Sequence, residues 1–445
     1  MTSLARHFSS FHGRYHQFFQ RRTGSLADKA CQYLKGLFQA DKKNMERMEE
    51  KVVGIDYDPL QHFLSDCTWD WHPLNSQIAR DADVLLGGRR NSALYLDETG
   101  LPKKGKMSVG VARQWCGQLG KVDNCQVGVF ATLGRDNYST PIDFRLFLPE
   151  EWTKDSERCL NAKVPKEKII FKTKHDLALE MVLEARKNGV RFNWVGFDGF
   201  YGDNPAFVRS LADNGEIFMG DIHKDHRIYF EDPKPAVPVS VKPGKKPTKL
   251  RAQSRAMRVD KWIAKQSVDS WKRVVIRDTT KGKLLVDILH RRVWVWDGKE
   301  NRARKWHLVV RREIKSPTTI KYSLSNAPSG TSRHRLAYMQ AQRYWVERPF
   351  QDAKNQCGMG DYQVRGWLAW HHHMSMVILA MLFLLEQRLN NHAKIPLLSC
   401  ADITIFLKAV LPRRDITVEE LIRQLEIRHK KRQLSIDAAY AKQLE

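Results

Sequence analysis

Three acidic residues stand where their side chains could share divalent metal ions. Asp97 follows the strand-like run of residues 92–96, and Asp198 follows a second such run at residues 192–197, whereas Glu347 lies in a helical pattern. Hard divalent ions prefer carboxylate oxygens as ligands. Two such ions about 4 Å apart can activate an oxygen nucleophile, stabilise the leaving oxygen and neutralise phosphate charge. The three acids therefore predict a two-metal site for phosphodiester chemistry.

Two cations flank Glu347 on the same predicted helix. Arg343 precedes it by four residues and Lys354 follows it by seven, and residues at these spacings project from one helix face. A carboxylate between two cations suits phosphate binding around a metal ion. Most of the 50 acidic residues must be solvated surface groups, so the prediction depends on the three elements together. Neighbouring acids remain alternatives to the three: Glu98, Asp203 and Asp352.

The net charge of the chain indicates a polyanionic partner. The formal charge is +25, with an isoelectric point near 9.8. Residues 234–315 contain 24 Lys and Arg against 7 Asp and Glu, which is +17 of that total. Such a concentrated basic stretch favours nucleic acid over a membrane surface. The cations between residues 242 and 312 should add sequence-independent affinity that falls steeply with salt.

Several features of the chain favour the cytoplasm. Its seven cysteines are scattered and never form a CxxC pair, which favours a reducing compartment and argues against a structural zinc site. The first residues lack the charged and apolar segments of a secretory signal. The most apolar run, residues 374–385, is too short to span a bilayer and predicts a buried core helix. We therefore expect no membrane partner.

The order of the predicted elements indicates the fold. After a helical beginning come three strands, a helix, the strand before Asp198, a second helix and a short strand, and parallel strands in that order need helical crossovers. Thr173 and Asp176 have the spacing of a helix capping box. Residues 232–249 contain five prolines and predict a linker or exposed arm. Strand-like runs separated by turns follow between residues 273 and 324.

The predicted fold class is therefore α/β: a ribonuclease-H-like catalytic core interrupted by a basic β-rich insertion domain, with helical N- and C-terminal regions. The predicted boundaries are a helical DNA-binding domain at 1–88, the first part of the core at 89–230, the insertion domain at 231–326, the second part of the core with Glu347 at 327–392, and the helical C-terminal region at 393–445.

The three acids and their surroundings resemble the DDE transposases of bacterial insertion sequences, in the group with a β-strand insertion domain and a Tyr-Arg-Glu-Lys signature. Arg343, Glu347 and Lys354 match the spacing of that signature, whereas Gln340 stands where its tyrosine is expected. The segments Leu-Asp-Glu-Thr-Gly at Asp97, Phe-Asp-Gly-Phe-Tyr-Gly at Asp198 and Tyr-Trp-Val-Glu-Arg-Pro-Phe at Glu347 also resemble this group. The resemblance covers residues from about 90 to about 390.

The resemblance implies a DNA transposase. Asp97, Asp198 and Glu347 would be its catalytic residues and would hold two Mg²⁺ ions, for which Mn²⁺ can substitute. Water would nick each transposon end, and the freed 3′-OH would then attack target DNA, with the second strand released through a hairpin. The implied partners are double-stranded DNA, both the terminal inverted repeats and the target, and a second copy of the chain in a homodimer. The implied location is the bacterial cytoplasm, in association with the nucleoid.

A further set of residues is predicted to contact DNA. Arg343 and Lys354 would do so beside the acids, and a tryptophan would stack on a flipped base. The remaining candidates are the tryptophans Trp294, Trp296 and Trp345 and the lysines Lys103, Lys104 and Lys106. Packing in a strand is an equally good interpretation of Trp294 and Trp296, as is a solvated loop for the lysines.

Two other functions remain open. One is a non-catalytic DNA-binding protein derived from a transposase, and the other is a metal-dependent DNA nuclease without strand transfer. The intact set of acids argues against the first, and cutting without joining would reveal the second.

Overall fold

The computed structural model describes residues 2–22, 24–239, 246–279, 282–314 and 316–444. The chain forms two units, which are considered separately. One unit is Asn75–Gln351, and the other consists of the residues up to Leu74 together with those from Asp352 onward.

The strands of the described residues are β1 Gln20–Arg21, β2 Gly24–Ser25, β3 Ser92–Pro102, β4 Ala112–Cys116, β5 Lys121–Arg135, β6 Tyr138–Leu146, β7 Val195–Phe197, β8 Phe218–Ile222, β9 Arg227–Ile228, β10 Met257–Arg258, β11 Lys272–Thr279, β12 Gly282–Val295, β13 Arg304–Glu313 and β14 Ile320–Ser325. The α-helices are α1 Thr2–Gly13, α2 Ala27–Gln39, α3 Met45–Glu49, α4 Tyr57–Ser65, α5 Trp71–Leu86, α6 Glu150–Thr153, α7 Ser156–Asn161, α8 Lys174–Lys187, α9 Gly199–Gly202, α10 Pro205–Asp213, α11 Val259–Ile263, α12 Arg333–Gln342, α13 Tyr344–Cys357, α14 Trp367–Asn390, α15 Cys400–Val410 and α16 Val418–Leu444.

A ten-stranded mixed sheet organises the unit Asn75–Gln351. Its strand order is β11-β12-β13-β14-β8-β7-β3-β5-β4, and β6 also pairs with β5. The strands β3, β7 and β8 are parallel to one another, while the remaining pairs are antiparallel. The helix α8 precedes β7, and α9 and α10 connect β7 to β8. The three parallel strands therefore lie in the middle of the sheet.

The observed architecture agrees with the coarse prediction. A central mixed sheet with helical termini is consistent with a ribonuclease-H-like fold, and the predicted order of strands and helices is present with β4 and the short α6 and α7 added. The predicted capping box is confirmed: Thr173 accepts from the Asp176 N–H, and the Asp176 carboxylate accepts from the Thr173 N–H over 2.9 Å. The capping box gives hydrogen-bond partners to main-chain N–H groups that have none within the helix.

The insertion domain is not confirmed. The strand β14 pairs with β8 in antiparallel register, with Tyr322 opposite Ile222 and Ser323 opposite Asp221. Through this pairing the strands β11 to β14 extend the central sheet, because β8 still had a free edge for hydrogen bonding. The boundaries predicted at residues 88, 230, 326 and 392 remain predictions.

The proline-rich segment is not simply an exposed arm where it is described. Ala236 and Arg251 exchange two main-chain hydrogen bonds, of 3.1 and 2.9 Å. The Gln253 N–H also donates to the Pro233 carbonyl oxygen over 2.7 Å. The two sides of the segment therefore pair with each other. Its centre, residues 240–245, lies outside the described residues.

The described part of the second unit is mostly helical; β1 and β2 pair antiparallel, and Val52 forms an isolated bridge with Arg413. Its core includes the aromatic cluster of Phe8, Phe38 and Phe383, with ring centroids 5.6–6.1 Å apart. Among the described helices, α14 alone has the length and apolar character to cross a membrane, and 94% of its most apolar window is buried. This burial agrees with the core helix predicted for residues 374–385.

Candidate active site

The register of the parallel strands places Asp97 and Asp198 side by side. Leu94 lies opposite Val195 and Tyr95 opposite Gly196 in the β3–β7 pair. Two residues beyond this pairing come Asp97, still on β3, and Asp198, the residue after β7, and Asp198 acts electrostatically on Asp97. Adjacent strands are about 4.8 Å apart. The two carboxylates therefore lie close together at the centre of the sheet.

Asp97 lies within its strand rather than at the end of it. The sequence suggested that the strand stops at Asp97, but β3 continues to Pro102 because it pairs with β5 along its whole length. One carboxylate oxygen of Asp97 accepts the Glu98 N–H over 2.8 Å. Burial, and then repulsion by Asp198, raises the pKa of Asp97 to about 7. Burial and the neighbouring acid thus disfavour a bare negative charge on Asp97, which either a proton or a bound cation would relieve.

Asp198 directly follows β7, as predicted, and forms the N-cap of α9. Its carboxylate accepts from the N–H groups of Phe200 and Tyr201 over 3.1 and 3.4 Å. Burial raises the pKa of Asp198, although Arg343 and the two N–H donors oppose that rise. These donors fix the carboxylate at the C-terminal end of β7. The cap explains why a short strand is followed immediately by a helical turn.

Arg343 lies between the aspartates and Glu347. Its Nε donates to Oδ2 of Asp221 over 3.1 Å, and its Nη2 lies 3.9 Å from Oε1 of Glu347. Burial opposes the positive charge, yet the surrounding carboxylates outweigh it and raise the pKa of Arg343. In decreasing order of effect, they are those of Asp221, Asp97, Asp198 and Glu347. The positive charge of Arg343 thus offsets part of the negative charge of several carboxylates.

The helix that bears Glu347 differs from the prediction. The sequence suggested one helix through residues 333–356, but a turn at Arg343 separates α12 from α13. The Glu347 side chain is 62% exposed. Among the described residues, no three His, Cys, Asp or Glu side chains are arranged to hold a metal ion. The structure therefore brings Asp97 and Asp198 together and leaves Glu347 on the solvent side of this pair.

The neighbouring acids have other partners. The Glu98 carboxylate pairs with Lys174 Nζ over 2.6 Å and accepts the Tyr201 hydroxyl over 2.9 Å. Asp203 lies between two histidines, His223 at 2.5 Å and His226 at 2.8 Å. Glu98 and Asp203 therefore help to hold the elements around the pair, which weakens their case as substitutes for it. Asp352, the third alternative, belongs to the helical unit.

The predicted aromatic residues occupy different places. Trp294 exchanges main-chain hydrogen bonds with Tyr229, and the indole N–H of Trp296 donates to the Glu300 carbonyl over 2.7 Å. Both lie on or just after β12, which β13 and β14 separate from β8. Trp345 is two residues from Glu347, and the Arg277 guanidinium lies 4.3 Å from its ring centroid. Of the three, Trp345 is nearest in sequence to the acids.

The predicted basic residues are also dispersed. Lys103, Lys104 and Lys106 follow the end of β3, and six residues of strand place Lys103 roughly 20 Å beyond Asp97. The loop is held by the Asn124 amide, which donates to the carbonyls of residues 103 and 105 over 2.6 and 3.0 Å. These lysines are therefore not beside the acids. Lys354 lies on α13 but belongs to the helical unit.

A third aspartate near this pair, Asp221, was not predicted from the sequence. In the β7–β8 pair Phe197 lies opposite Gly220, and the next residues after this pair are Asp198 and Asp221. Asp97 on β3, Asp198 directly after β7 and Asp221 on β8 thus form a row along three neighbouring parallel strands. The short strand at residues 217–219 was predicted, and the same register argument would have identified the acid that follows it.

Comparison with known proteins agrees with this fold. The family model described as the DDE superfamily endonuclease matches residues 14–283, more than half of the chain, and the chain belongs to that family. The matched segment includes Asp97 and Asp198 and ends before Glu347.

A probable transposase for insertion sequence element IS701 from Microchaete diplosiphon is 24% identical over 363 residues. The alignment covers 77% of this chain and 82% of that relative. The resemblance to DDE transposases of bacterial insertion sequences is therefore confirmed.

Proposed function

We propose that this protein is a DNA transposase that cleaves the ends of a mobile element and joins their 3′-OH groups to target DNA. The observation that carries the proposal is the proximity of Asp97, on β3, to Asp198, which directly follows the neighbouring parallel strand β7. Membership of the DDE endonuclease family and the similarity to a probable transposase support it. Glu347 would supply the third acid.

The carboxylate oxygens of this site are the donor type that divalent metal ions prefer, although Glu347 is not gathered with the two aspartates among the described residues. Asp97 and Asp198 offer hard oxygen donors, and their burial and mutual repulsion disfavour two bare negative charges. We propose Mg²⁺, with Mn²⁺ as a substitute, bound by these two aspartates and by Glu347. The ions would lower the pKa of a water molecule and neutralise charge on the phosphate and on the leaving oxygen.

The protein's own residues would prepare the site. The N–H donors of Phe200 and Tyr201 orient the Asp198 carboxylate, and Arg343 offsets the negative charge before DNA arrives. In cleavage, a water oxygen forms a bond to phosphorus while the bond to the 3′-oxygen breaks, leaving a 3′-OH and a 5′-phosphate. In joining, that 3′-OH replaces a 3′-oxygen of the target strand.

The remaining functional assignments are part of the same proposal. Arg343 and Lys354 would contact DNA phosphates, and Trp345 would be the first candidate for stacking on a flipped base, with Trp294 and Trp296 as alternatives. Lys103, Lys104 and Lys106 would contact the DNA backbone away from the acids. The protein would act as a homodimer on two transposon ends and on target DNA, in the bacterial cytoplasm with the nucleoid.

The experiment is an assay of cleavage and joining on one labelled duplex. The duplex would carry the inverted repeat found beside the gene, and a supercoiled plasmid would serve as target. Wild type should yield a cleaved 3′ end and a joined product with Mg²⁺ and neither product with EDTA. Variants with Asp97, Asp198 or Glu347 changed to Ala should bind the duplex and fail in both steps.

A matched control separates loss of chemistry from general damage. Asp123→Ala removes an aspartate of β5 that pairs with Lys121 over 3.0 Å and lies away from the row, so this variant should remain active. Cleavage without joining would establish the nuclease instead. Binding of verified end DNA without metal-dependent cleavage would establish the non-catalytic DNA-binding protein.

A further inference from the structure

Asp221 occupies the third place in the row of aspartates, yet its partner is a cation. Its Oδ2 accepts the Nε–H of Arg343 over 3.1 Å. The same guanidinium approaches Glu347 more loosely, with Nη2 at 3.9 Å from Oε1. Asp221 also has the largest favourable electrostatic effect on Arg343. The best-formed ion pair of Arg343 is therefore with an acid outside the proposed metal-binding set.

The Asp221 side chain is itself fixed from the opposite side. Ser323 of β14 donates its hydroxyl to Oδ1 of Asp221 over 2.6 Å. The amide of buried Gln340 in turn donates to the Ser323 hydroxyl over 2.8 Å. Gln340 stands where the Tyr-Arg-Glu-Lys signature has its tyrosine. This chain therefore uses that position to fix the acid that holds Arg343.

A guanidinium that is always charged needs a partner that stays in place when cations bind nearby. Metal ions on Asp97, Asp198 and Glu347 would neutralise those acids and repel Arg343. We propose that Asp221 is a positioning residue: it retains Arg343 beside the site and prevents the guanidinium from occupying the carboxylates that bind metal. This inference rests on the proposed function of the three acids.

Removal of Asp221 should therefore weaken metal binding through Arg343. In Asp221→Ala the guanidinium would pair with the remaining acids of the site, Glu347 at 3.9 Å and the two aspartates Asp97 and Asp198, and would compete with the metal. Asp221→Asn retains an oxygen that can accept from Nε but loses the charge, so its effect should be intermediate. Once Arg343 is removed, the identity of residue 221 should no longer matter.

The test measures Mn²⁺ binding without DNA, from the electron paramagnetic resonance signal of free Mn²⁺. The Asp97→Ala protein provides the background of unrelated Mn²⁺ sites. Asp221→Ala should raise the half-saturating Mn²⁺ concentration of the Asp97-dependent site by roughly fivefold or more. In an Arg343→Ala background the same substitution should produce no further change, since the two residues then cannot interact.

Additional variants distinguish the proposed effect on metal binding from misfolding. Asp287→Ala is a matched control, because Asp287 of β12 also accepts an arginine Nε, that of Arg273, over 3.1 Å; its Mn²⁺ affinity should equal that of wild type. If Asp221→Ala does not fold, Asp221→Asn and Ser323→Ala replace it in the test. Each should raise the half-saturating Mn²⁺ concentration, by less than Asp221→Ala would.

The outcomes are distinct. Unchanged Mn²⁺ affinity in the Asp221 variants would overturn the positioning role and leave the proposed function intact. An equal loss of affinity with and without Arg343 would also overturn it, because Asp221 would then act on the metal without Arg343. If wild type showed no Asp97-dependent Mn²⁺ binding, the metal site itself would fail, and the role of Asp221 with it.

Discussion

The hydroxyl of Ser139 donates a hydrogen bond of 2.8 Å to the main-chain carbonyl oxygen of Trp345. In an uninterrupted helix that carbonyl would accept the N–H of residue 349, but residue 349 is a proline within α13 and has no N–H. Ser139 lies on β6 and supplies the missing donor. The sheet thereby holds the first turn of the helix that bears Glu347.

Ser139→Ala should lower the free energy of unfolding by about 1–2 kcal/mol, because it leaves the Trp345 carbonyl without this donor. In a Pro349→Ala background the helix can supply its own N–H, so the cost of Ser139→Ala should shrink. Urea unfolding of the four proteins measures both effects. Ser267→Ala, at an exposed serine, serves as the control. Equal losses in the two backgrounds would contradict this account of the helix.

Gly202→Ala should destabilise the centre of the site. A Cβ atom at residue 202 would meet the main-chain carbonyl oxygen of Asp221 closer than van der Waals contact allows. Because the obstacle is backbone, β8 or α9 must move, at a cost of about 1–3 kcal/mol. Urea unfolding should show that loss, and the cleavage assay should show reduced activity. Gly105→Ala, where a Cβ meets nothing within 4 Å, should behave as wild type; equal stability of the two variants would refute the contact.

The proximity of two of the three predicted acids could be inferred from strand order, while their catalytic role stays a prediction. Asp97 and Asp198 were found because each follows an apolar strand-like run, and parallel pairing then sets them side by side. The end of β3 was misjudged, because continued pairing with β5, a long-range contact, keeps Asp97 inside the strand. The contacts of Asp221 were not predicted for a similar reason: they are made with β14 and Arg343, both distant in sequence.

The prediction of an insertion domain was limited in the same way, because it depended on local sequence patterns. Alternating apolar and basic residues correctly indicated strands, but a local pattern does not specify which edge a strand will join. The pairing of Tyr322 with Ile222 decides that β14 extends the central sheet. Likewise, the apolar and polar spacing of residues 333–356 predicted helix throughout, whereas the chain turns at Arg343.

Stability should fall in mild acid because of two neutral histidines. His290 Nε2 and His307 Nδ1 are 2.7 Å apart, and His307 Nε2 faces the Ala327 carbonyl at 3.0 Å. Burial, and then His307, lowers the pKa of His290 to about 4. Between pH 6.5 and pH 4 the unfolded chain binds a proton that the folded chain does not, so stability decreases as the pH falls through this window.

We expect a loss of about 1–2 kcal/mol between pH 7.5 and pH 5 from this site, since solvent around the half-buried His290 ring weakens the effect. Urea unfolding at both pH values measures it. His290→Gln should reduce the difference, whereas His62→Gln, at an exposed histidine, should leave it unchanged. The same pH dependence in His290→Gln as in wild type would exclude His290 as the source.

Lys104 and Lys106 should contribute to DNA affinity and not to chemistry. Replacing both with Ala should weaken binding of all duplexes and reduce the dependence of log affinity on log salt by about two. Cleavage of saturating DNA should proceed at the wild-type rate, because the loop lies roughly 20 Å from Asp97. Titrations at several salt concentrations measure the slope, with exposed Lys154→Ala as the control. An unchanged slope would remove these lysines from the DNA interface.

The most direct test of the active site asks whether Asp97 binds the metal. The measurement is cleavage of labelled end DNA by Asp97→Cys with Mg²⁺ and with Mn²⁺, because sulfur is a poorer ligand for the harder Mg²⁺. We expect Asp97→Cys to show no cleavage with Mg²⁺ and partly restored cleavage with Mn²⁺, while Asp123→Cys should cleave with either ion. Cleavage by Asp97→Cys with Mg²⁺ at the wild-type rate would contradict a metal-binding role for Asp97.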